Sequence, residues 1–410
     1  PRSTLFPYTT LFRSPGSTAS ISPILGAASY GFIIKYDRDG NVIWRRAVGD
    51  AGASGVTNFT GVTTDASGKV FVTGTMGTVA TFGNLPALTA SARSNSNFAN
   101  TLSSAQVAVS SNVFVAMIDG DGVWQWARQF DFAVNTSTDA NVANLGTEAV
   151  GSSVALETDA TSGTITQGIN RGRSVVIDST GSLYLKLRLA SFSAGNPAAN
   201  ANRVFWLRSE TAGYRVAAAA VDGAGTATEY FRTPFIAKLL ATPPPIGAPA
   251  GSQPTYSWRW VAPVTSGVVY NAAGTITSIA PVLNTEGNVN GMGVDPGDGE
   301  SLFLTGDWKG NLVAGGAVRL PFTATDGFVA RWRSSDASPL YLATFSASLA
   351  AGGASRGGAL VVDADKNAYV TGSATNASQL RLTSADAAGT NVAFGGNAAD
   401  RTSFFVGKIN

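Results

Sequence analysis

The sequence has 410 residues, of which 44% are hydrophobic and 13% charged, so it can build a sizeable core and wholesale disorder is excluded. Lysine and arginine number 28 against 26 acidic residues, and no basic block exceeds a few residues, which excludes a nucleic-acid-binding surface. The chain has no cysteine and no histidine, which excludes disulfides, Ser-His-Asp catalysis and zinc sites built on those residues.

The N-terminal segment differs in character from the rest of the chain. Residues 4–14 read TLFPYTTLFRS, which resembles the translation of a short-read sequencing adapter. The segment also lacks the basic-then-apolar order of a signal peptide. We therefore interpret residues 1–29 as an artefactual or disordered N-terminus and exclude them from the fold prediction.

Residues 30–48 predict two antiparallel strands, named C and D here. Phe32–Tyr36 alternates apolar and other side chains with the period of a strand, and a second strand is centred on Trp44. The Asp37–Asn41 segment between them, DRDGN, is typical of a tight turn.

Strands A and B follow, and all four then recur along the chain. Strand A is a small-apolar run that ends in Asp65, and strand B is the VFVTG run after a turn of the form Asp-x-x-Gly. Strand C begins at Phe32, Phe114, Phe235, Phe328 and Phe405; strand A ends at Asp65, Asp178, Asp295 and Asp363; and strand D is centred on Trp44, Trp126, Trp258 and Tyr341.

Four short antiparallel strands per repeat predict an all-β fold, a β-propeller of four-stranded blades. We expect about four to five blades within residues 30–410, arranged as an open arc or a five-bladed closure, and we interpret the chain as a fragment of a larger ring. The predicted units are C–D strands at 30–48, blades at about 61–130, 173–262 and 291–346, and a partial blade at 358–410.

These motifs resemble the bacterial SBBP-type repeat, a seven-bladed β-propeller family of secreted and cell-surface proteins. The resemblance rests on the Phe-initiated strand, the Asp-x-x-Gly turn and the VFVTG strand, and it covers most of residues 30–410 outside the long inserts. It implies a propeller scaffold and an extracellular location, but no particular activity. Two segments depart from the repeat: strand D of the third blade, and the Pro-rich connection from Leu240 to Thr255.

The B–C and D–A connections are long and lie at the same end of the blades, which is typical of a binding face. Aromatic and acidic residues in these connections are candidates for stacking on a sugar or for gripping a protein side chain. The alternative is that each packs beneath its own loop, and residues 203–207 and 214–222 could pair as an extra hairpin. The predicted ligand-binding residues are Trp206, Tyr270, Asp307 and Trp308.

Catalytic and metal-binding alternatives use the carboxylates. Asp37–Asn41 and Asp295–Glu300 partly resemble calcium loops, but both stand where a hairpin turn is required, and we predict no metal site and no cofactor. Paired acids could serve a glycosidase or lyase. The candidate acids on the long-connection face are Asp50, Asp139, Glu148, Glu157, Glu286 and Asp307.

We therefore expect a non-catalytic, secreted or cell-surface scaffold from a bacterium that recognises an extracellular protein or glycan through the face with the long connections. We expect no nucleic-acid partner and no membrane span. The alternative is a carbohydrate-active propeller, or an accessory domain of such an enzyme. Two or three acids meeting at the channel mouth would favour the enzyme.

Overall fold

The computed structural model describes the greater part of the repeats but not the N-terminal segment, so the interpretation of residues 1–29 lies outside the described residues. The described residues are 30–49, 57–76, 79–89, 112–135, 147–149, 171–188, 204–208, 212–217, 234–249, 252, 254–264, 268–270, 276–279, 286–297, 299–310, 313–314, 317–318, 322–347, 354–375, 379–384, 387–393 and 402–409. Their regular structure is entirely β-strand. This part of the chain holds no helix that is long and apolar enough to cross a membrane.

The fold prediction is confirmed: the structure is all-β, with four antiparallel sheets in a ring like a four-bladed β-propeller. We name these sheets blades I to IV in chain order. In the order A, B, C, D, blade I consists of β3 (Thr57–Thr64), β4 (Val70–Met76), β7 (Asn112–Ile118) and β8 (Trp124–Asn135), and blade II of β10 (Arg171–Ile177), β11 (Leu183–Arg188), β14 (Pro234–Thr242) and β15 (Thr255–Pro263). Blade III consists of β18 (Glu286–Val294), β19 (Ser301–Gly310), β22 (Phe322–Arg333) and β23 (Pro339–Ala347). Blade IV has strands A to C only among the described residues, which are β24 (Ala354–Val362), β25 (Ala368–Thr375) and β28 (Thr402–Ile409).

A two-stranded sheet precedes blade I, and smaller strands lie in the connections. The two-stranded sheet is β1 (Tyr30–Tyr36) with β2 (Val42–Gly49), equivalent to strands C and D, and it packs against blade I. The strands in the connections are β5 (Val79–Ala80), β6 (Leu88–Thr89), β9 (Thr147–Ala149), β12 (Val204–Arg208), β13 (Ala212–Ala217), β16 (Val268–Tyr270), β17 (Ile276–Ile279), β20 (Val313–Ala314), β21 (Ala317–Val318), β26 (Gln379–Ser384) and β27 (Ala387–Ala393).

The two faces of a blade pack on different neighbours because successive side chains of a strand point to opposite faces. We call the face toward the preceding sheet the near face and the face toward the following sheet the far face. In blade III, Leu304 and Phe328 on the near face pack with Tyr184 of blade II. Phe303 and Val329 on the far face pack with blade IV. Blade III is therefore sandwiched between blades II and IV.

The glycine that ends the VFVTG motif is required by the close approach of strand A. A Cβ on Gly74 would collide with the carbonyl oxygen of Asn58, and Gly306 meets the carbonyl of Asn288 in the same way. In blade IV, Gly372 lies against the carbonyl of Arg356. The recurrence of glycine at this position thus reflects backbone packing between strands A and B.

Strand D carries a β-bulge at the same position in every C–D pair, which corrects the predicted aromatic position in blade II. The register shifts by one residue next to Lys35, Met117, Lys238 and Arg331. Lys35 pairs with Trp44, and Lys238 pairs with Trp260, so the equivalent of Trp44 is Trp260 and not Trp258. Two tryptophans two residues apart in strand D look alike in sequence, and only the register of the pairing separates them.

The tryptophan of strand D joins one sheet to the next. Trp44 Nε1 donates to the Gly120 carbonyl in the C–D turn of blade I, at 2.9 Å. Trp260 Nε1 donates to the Ser334 carbonyl in the C–D turn of blade III, at 2.8 Å. Both tryptophans therefore lie at a contact between neighbouring sheets.

Trp126 makes no such hydrogen bond, because the sheet that follows it has a different C–D connection. Its Nε1 is buried and has no hydrogen-bond partner among the described residues. In blade II, the Pro-rich connection from residue 243 to residue 254 replaces the tight turn. The indole packs instead on the Tyr256 ring, with centroids 4.9 Å apart.

We expect Trp260→Phe to destabilise the protein by about 1–3 kcal/mol more than Trp126→Phe. Both changes remove the same volume from a buried inter-blade contact, but only the first breaks a hydrogen bond and leaves the Ser334 carbonyl without its donor. Urea unfolding of the two variants measures the difference. Equal losses of stability would contradict a role for the indole N–H.

Candidate functional site at the long-connection end

The two ends of the blades are built differently. At the tight-turn end, strands A and B are joined by short turns, as between Asp65 and Lys69, and most C–D turns are equally short. At the opposite end, which we call the long-connection end, strands B and C are joined through residues 77–111, 189–233, 311–321 and 376–401. The D–A connections at that end span residues 50–56, 136–170, 264–285 and 348–353.

The aspartates of the tight-turn end are engaged in the turns themselves. Asp37 Oδ1 accepts the backbone N–H groups of Asp39 and Asn41 at 2.9 and 2.8 Å, and its Oδ2 accepts from the Asn41 side chain at 2.9 Å. Asp65, Asp119, Asp178 and Asp363 repeat the two backbone contacts. These carboxylates close Asx-type turns, which fits the plain-turn interpretation of DRDGN.

The glycine of the Asp-x-x-Gly turn takes the left-handed conformation, which a residue without a side chain adopts readily. Gly68 has a φ of 81° and Gly181 a φ of 84°. In blade IV, Lys366 occupies this position with a φ of 67°, and its ammonium group reaches Asp295 of blade III at 3.2 Å. The Asp295 side chain is fully buried, so this ion pair compensates a desolvated carboxylate between two blades.

A second buried polar group lies at the tight-turn end between blades II and III. Asp178 Oδ2 accepts the Tyr184 hydroxyl at 2.9 Å and lies 3.7 Å from Lys238 Nζ. Burial lowers the pKa of Lys238, although Asp178 opposes that shift. Burial, followed by the charge of Asp178, raises the pKa of the Tyr184 phenol well above its usual range. All three side chains are buried, so the hydrogen bond and the ion pair compensate polar groups that folding removes from water.

The connections at the long-connection end fold back on the blade that precedes them. The B–C connection of blade II forms the β12–β13 hairpin, and β12 pairs with β8, the outer strand of blade I. The alternative of an extra hairpin from residues 203–207 and 214–222 is thus confirmed for β12 with β13, whereas residues 203 and 218–222 lie outside the described residues. The B–C connection of blade IV repeats the arrangement, because its β26–β27 hairpin pairs through β26 with β23 of blade III. In the B–C connection of blade I, Thr81 forms a single bridge to Gly49 at the end of β2.

The predicted ligand residues lie in three different sheets. Trp206 is in β12, where it pairs with Ala133 of β8. Tyr270 is in β16, where it pairs with Ile276 of β17. Asp307 and Trp308 belong to β19 of blade III. Of the four, Asp307 and Trp308 have described side chains, and as consecutive residues of a strand these point to opposite faces of blade III.

The expectation that Asp307 and Trp308 are exposed loop residues is wrong. Strand β19 continues to Gly310, so both residues pair with β18 and β22 and their side chains are buried. Trp308 joins the apolar cluster between blades II and III. The sequence placed the end of the strand too early because the large apolar residues stop at Leu304, whereas the backbone pairing continues.

Asp307 forms part of a polar cluster that the sequence did not reveal. Its carboxylate accepts from the side-chain amides of Asn290 at 2.8 Å and Asn288 at 3.3 Å. Asn290 also donates to the Gly357 carbonyl of blade IV at 2.8 Å. Lys186 of blade II donates to the Val289 carbonyl at 2.7 Å. We call Lys186, Asn288, Asn290 and Asp307 the inner polar cluster; it links strands A and B of three consecutive blades.

Chemically, the inner polar cluster offers one carboxylate beside two carboxamides, with both asparagines exposed at their surface. Such groups suit hydrogen bonding to hydroxyl-rich ligands, whereas hydrolysis of a glycoside needs a second carboxyl group. Of the other candidate acids, Asp50, Asp139 and Glu157 lie outside the described residues, and Glu148 and Glu286 are described only by their places in β9 and β18. Within the described part of the chain, no three His, Cys, Asp or Glu side chains group as metal ligands.

Comparison with models of known protein families gives no match, and no curated protein matches the chain.

We expect Asp37→Asn to lower the melting temperature at neutral pH and to remove part of the acid sensitivity of the protein. The hydrogen bond from the Asn41 side chain is the main reason that the pKa of Asp37 lies below its ordinary value of 3.8. Because the pKa is lowered in the folded state, the charged carboxylate stabilises the fold above about pH 4 and this contribution is lost as pH falls further.

The measurement is the difference in melting temperature between wild type and Asp37→Asn, followed from pH 7 to pH 2.5. The difference should narrow on the acid side. Asp39→Asn in the same turn is the control, because Asp39 makes only an exposed ion pair with Arg38 and should change little. A difference in melting temperature that does not change with pH would contradict the assigned role of Asp37.

Proposed function

We propose that this chain is a non-catalytic binding scaffold, with the SBBP-type repeat, from a secreted or cell-surface bacterial protein. In this proposal, the long-connection end recognises an extracellular protein or glycan. The observation that carries the proposal is the difference between the two ends of the blades: tight, self-contained turns at one end, and connections that form additional hairpins at the other.

The hairpins support recognition because they are continuous with the blades. The ladder of blade III runs from β18 to β27, and that of blade I extends through β12 and β13 to β9. A connection hydrogen-bonded to a packed sheet loses less conformational freedom on binding than an unattached loop of the same length. A binding surface built in this way is broad and preorganised.

The composition of the connections suits a hydrogen-bonding surface. Residues 90–111 and 189–203 are rich in Ala, Ser, Thr, Asn and Gly, whose short side chains allow a partner to approach the backbone closely. The lack of cysteine and the low charge are consistent with an extracellular scaffold. The recurring aspartates are committed to turns, which favours binding over acid–base chemistry.

A carbohydrate-active enzyme is the second candidate, and one observation favours it. Asp307 and Asp326 are both buried, and they lie one residue out of register on neighbouring strands of blade III, since Trp308 pairs with Asp326. Two buried carboxyl groups at one end of a blade are the residue types that an acid and a base require, although the offset of one residue places Asp307 and Asp326 on opposite faces of the sheet. Release of reducing sugars from a polysaccharide panel, lost in Asp307→Asn, would support this candidate over the scaffold.

The scaffold proposal is tested by removing the two hairpins of the long-connection end, one in each variant. We expect a variant in which a two-residue turn replaces residues 379–393 to retain its fold and to lose binding to an immobilised panel of polysaccharides and extracellular glycoproteins. A second variant without residues 204–217 tests the other hairpin. The matched control shortens residues 243–254, the one long connection at the tight-turn end, and should bind like wild type.

Circular dichroism and the melting temperature of each variant establish that the blades remain folded. Unchanged binding in both hairpin variants, or loss of binding in the control, would contradict the proposed role of the long-connection end. Release of reducing sugars from the polysaccharide panel by the wild-type protein, without stable binding to that panel, would favour the enzyme instead.

A further inference from the structure

The strands A of neighbouring blades lie against one another and form a shared wall. A Cβ added to Gly61 of β3 would lie 2.8 Å from the Ser174 Cα of β10. A Cβ added to Gly291 of β18 would lie 2.7 Å from the backbone nitrogen of Leu360 in β24. Strand A begins at the long-connection end, where the D–A connection enters it. The first residues of the four strands A therefore belong to the end of the blades to which we assign recognition.

A β-bulge interrupts every strand A close to its start. The register against strand B shifts after Phe59, Gly172, Val289 and Gly357 in blades I to IV. Bulges re-aim side chains and are frequent beside functional sites. The residue just before these four positions is Asn58, Arg171, Asn288 and Arg356, in chain order. At this level, the wall thus alternates between asparagine and arginine from one blade to the next.

Blade II brings three arginines to the start of its ladder. The register places Arg171 of β10 directly opposite Arg188 of β11, and Arg173 is the extra residue of the adjacent bulge. Like charges at directly opposite positions destabilise a pair of strands. The same two positions of blade I hold the uncharged Asn58 and Thr75. A pairing that costs stability is expected where it serves a function, and an anionic ligand would remove the repulsion.

Arg356 occupies the equivalent position of β24 in blade IV. It is exposed, and among the described residues it has no hydrogen-bond or ion-pair partner. The next residue, Gly357, accepts the side-chain amide of Asn290 at 2.8 Å, so Arg356 adjoins the inner polar cluster. A guanidinium group can bind two oxygens of one carboxylate or sulfate at once. We call Arg171, Arg173, Arg188 and Arg356 the arginine group.

Blade III places two amide oxygens between these arginine positions. The Asp307 carboxylate and the Gly357 carbonyl can only accept hydrogen bonds, so Asn290 must turn its amide nitrogen toward both, at 2.8 Å each. Asn288 likewise turns its nitrogen to Asp307. The oxygen of each amide therefore points away from Asp307, and both asparagines are exposed. The buried Asp307 is thus a positioning residue that orients two acceptors for hydroxyl groups.

Acidic residues do not cancel the positive charge of this wall. The segments 57–60, 171–174, 286–290 and 354–358, which begin the four strands A, contain three arginines against one glutamate. That glutamate, Glu286, stands directly opposite Lys309 of β19 in the register, where opposite charges attract. Asp307 is buried and accepts from the two asparagines.

We propose that this wall binds an anionic polysaccharide, a polymer of sugars that carry carboxylate or sulfate groups. The arginine group pairs with the oxyanions, and the amide oxygens of Asn288 and Asn290 accept from sugar hydroxyls. The proposal rests on the proposed function and names the ligand class for it. A polymer fits better than a single sugar, because the arginines belong to blades II and IV and the asparagine pair to blade III between them.

The test measures binding of the whole chain to polygalacturonate, dextran sulfate and uncharged dextran. We expect the charged polymers to bind more tightly than dextran, with an affinity that falls as salt is added. Arg171→Gln and Arg356→Gln should each weaken this binding at least about tenfold, as expected for the loss of a charge-assisted hydrogen bond. Arg38→Gln is the matched control, because Arg38 makes only an exposed ion pair at the tight-turn end, and this variant should bind like wild type.

Melting temperatures separate a binding role from a structural one. Arg171→Gln removes one of two like charges at directly opposite positions, so the melting temperature should equal or exceed that of wild type while the affinity falls. Arg356→Lys keeps the charge but loses the two-pronged guanidinium, so it should retain only part of the affinity. The relative affinities for polygalacturonate and dextran sulfate identify which oxyanion is preferred.

Unchanged affinity in both glutamine variants, equal binding of dextran, or equal affinity for a single-stranded DNA would overturn the proposal. If the hairpin variants lose binding to other members of the panel while the arginine variants bind like wild type, the proposed function stands and the ligand class is wrong. A wild-type protein that binds no polysaccharide and no glycoprotein contradicts both.

Discussion

Each blade has two apolar faces, and covering both of them is the constraint on which the rest of the structure depends. Strand B of blade I, Val70–Met76, is buried along its whole length because Val72 faces one neighbour and Phe71 the other. A sheet of this kind cannot be stable alone in water, since one face would remain exposed. The repetition of blades, the recurring glycine against strand A and the bulge in strand D all serve this close stacking.

Polar groups within the stack fix how neighbouring blades meet. The indole N–H groups of Trp44 and Trp260 donate hydrogen bonds to carbonyls in the C–D turn of the sheet that follows their own. Lys186 donates to a carbonyl of strand A in blade III, and Lys366 forms an ion pair with the buried carboxylate of Asp295. Each of these groups would be left unsatisfied by a sliding or rotated blade, and an unsatisfied buried group costs more than its hydrogen bond contributes. Apolar burial makes the blades stack, and the polar contacts select one register.

The same constraint separates the two ends of the blades. A turn that joins adjacent strands has little freedom, so its aspartate is used to cap backbone N–H groups and carries no other chemistry. The connections at the opposite end are free to vary, provided that their backbone is paired. The β12–β13 and β26–β27 hairpins satisfy this requirement on the outer strand of the preceding blade. Variable sequence on a rigid base is the arrangement that the proposed recognition function requires.

The sequence by itself determined the strand types, their order and the turn residues, because these follow from local alternation and from the geometry of Asp and Gly in turns. Only the tertiary structure decided that Trp260 is the equivalent of Trp44, that Asp307 and Trp308 are buried, and that Asn288 and Asn290 donate hydrogen bonds to Asp307. These outcomes depend on register and on contacts between residues far apart in the chain, and local patterns carry no information about either.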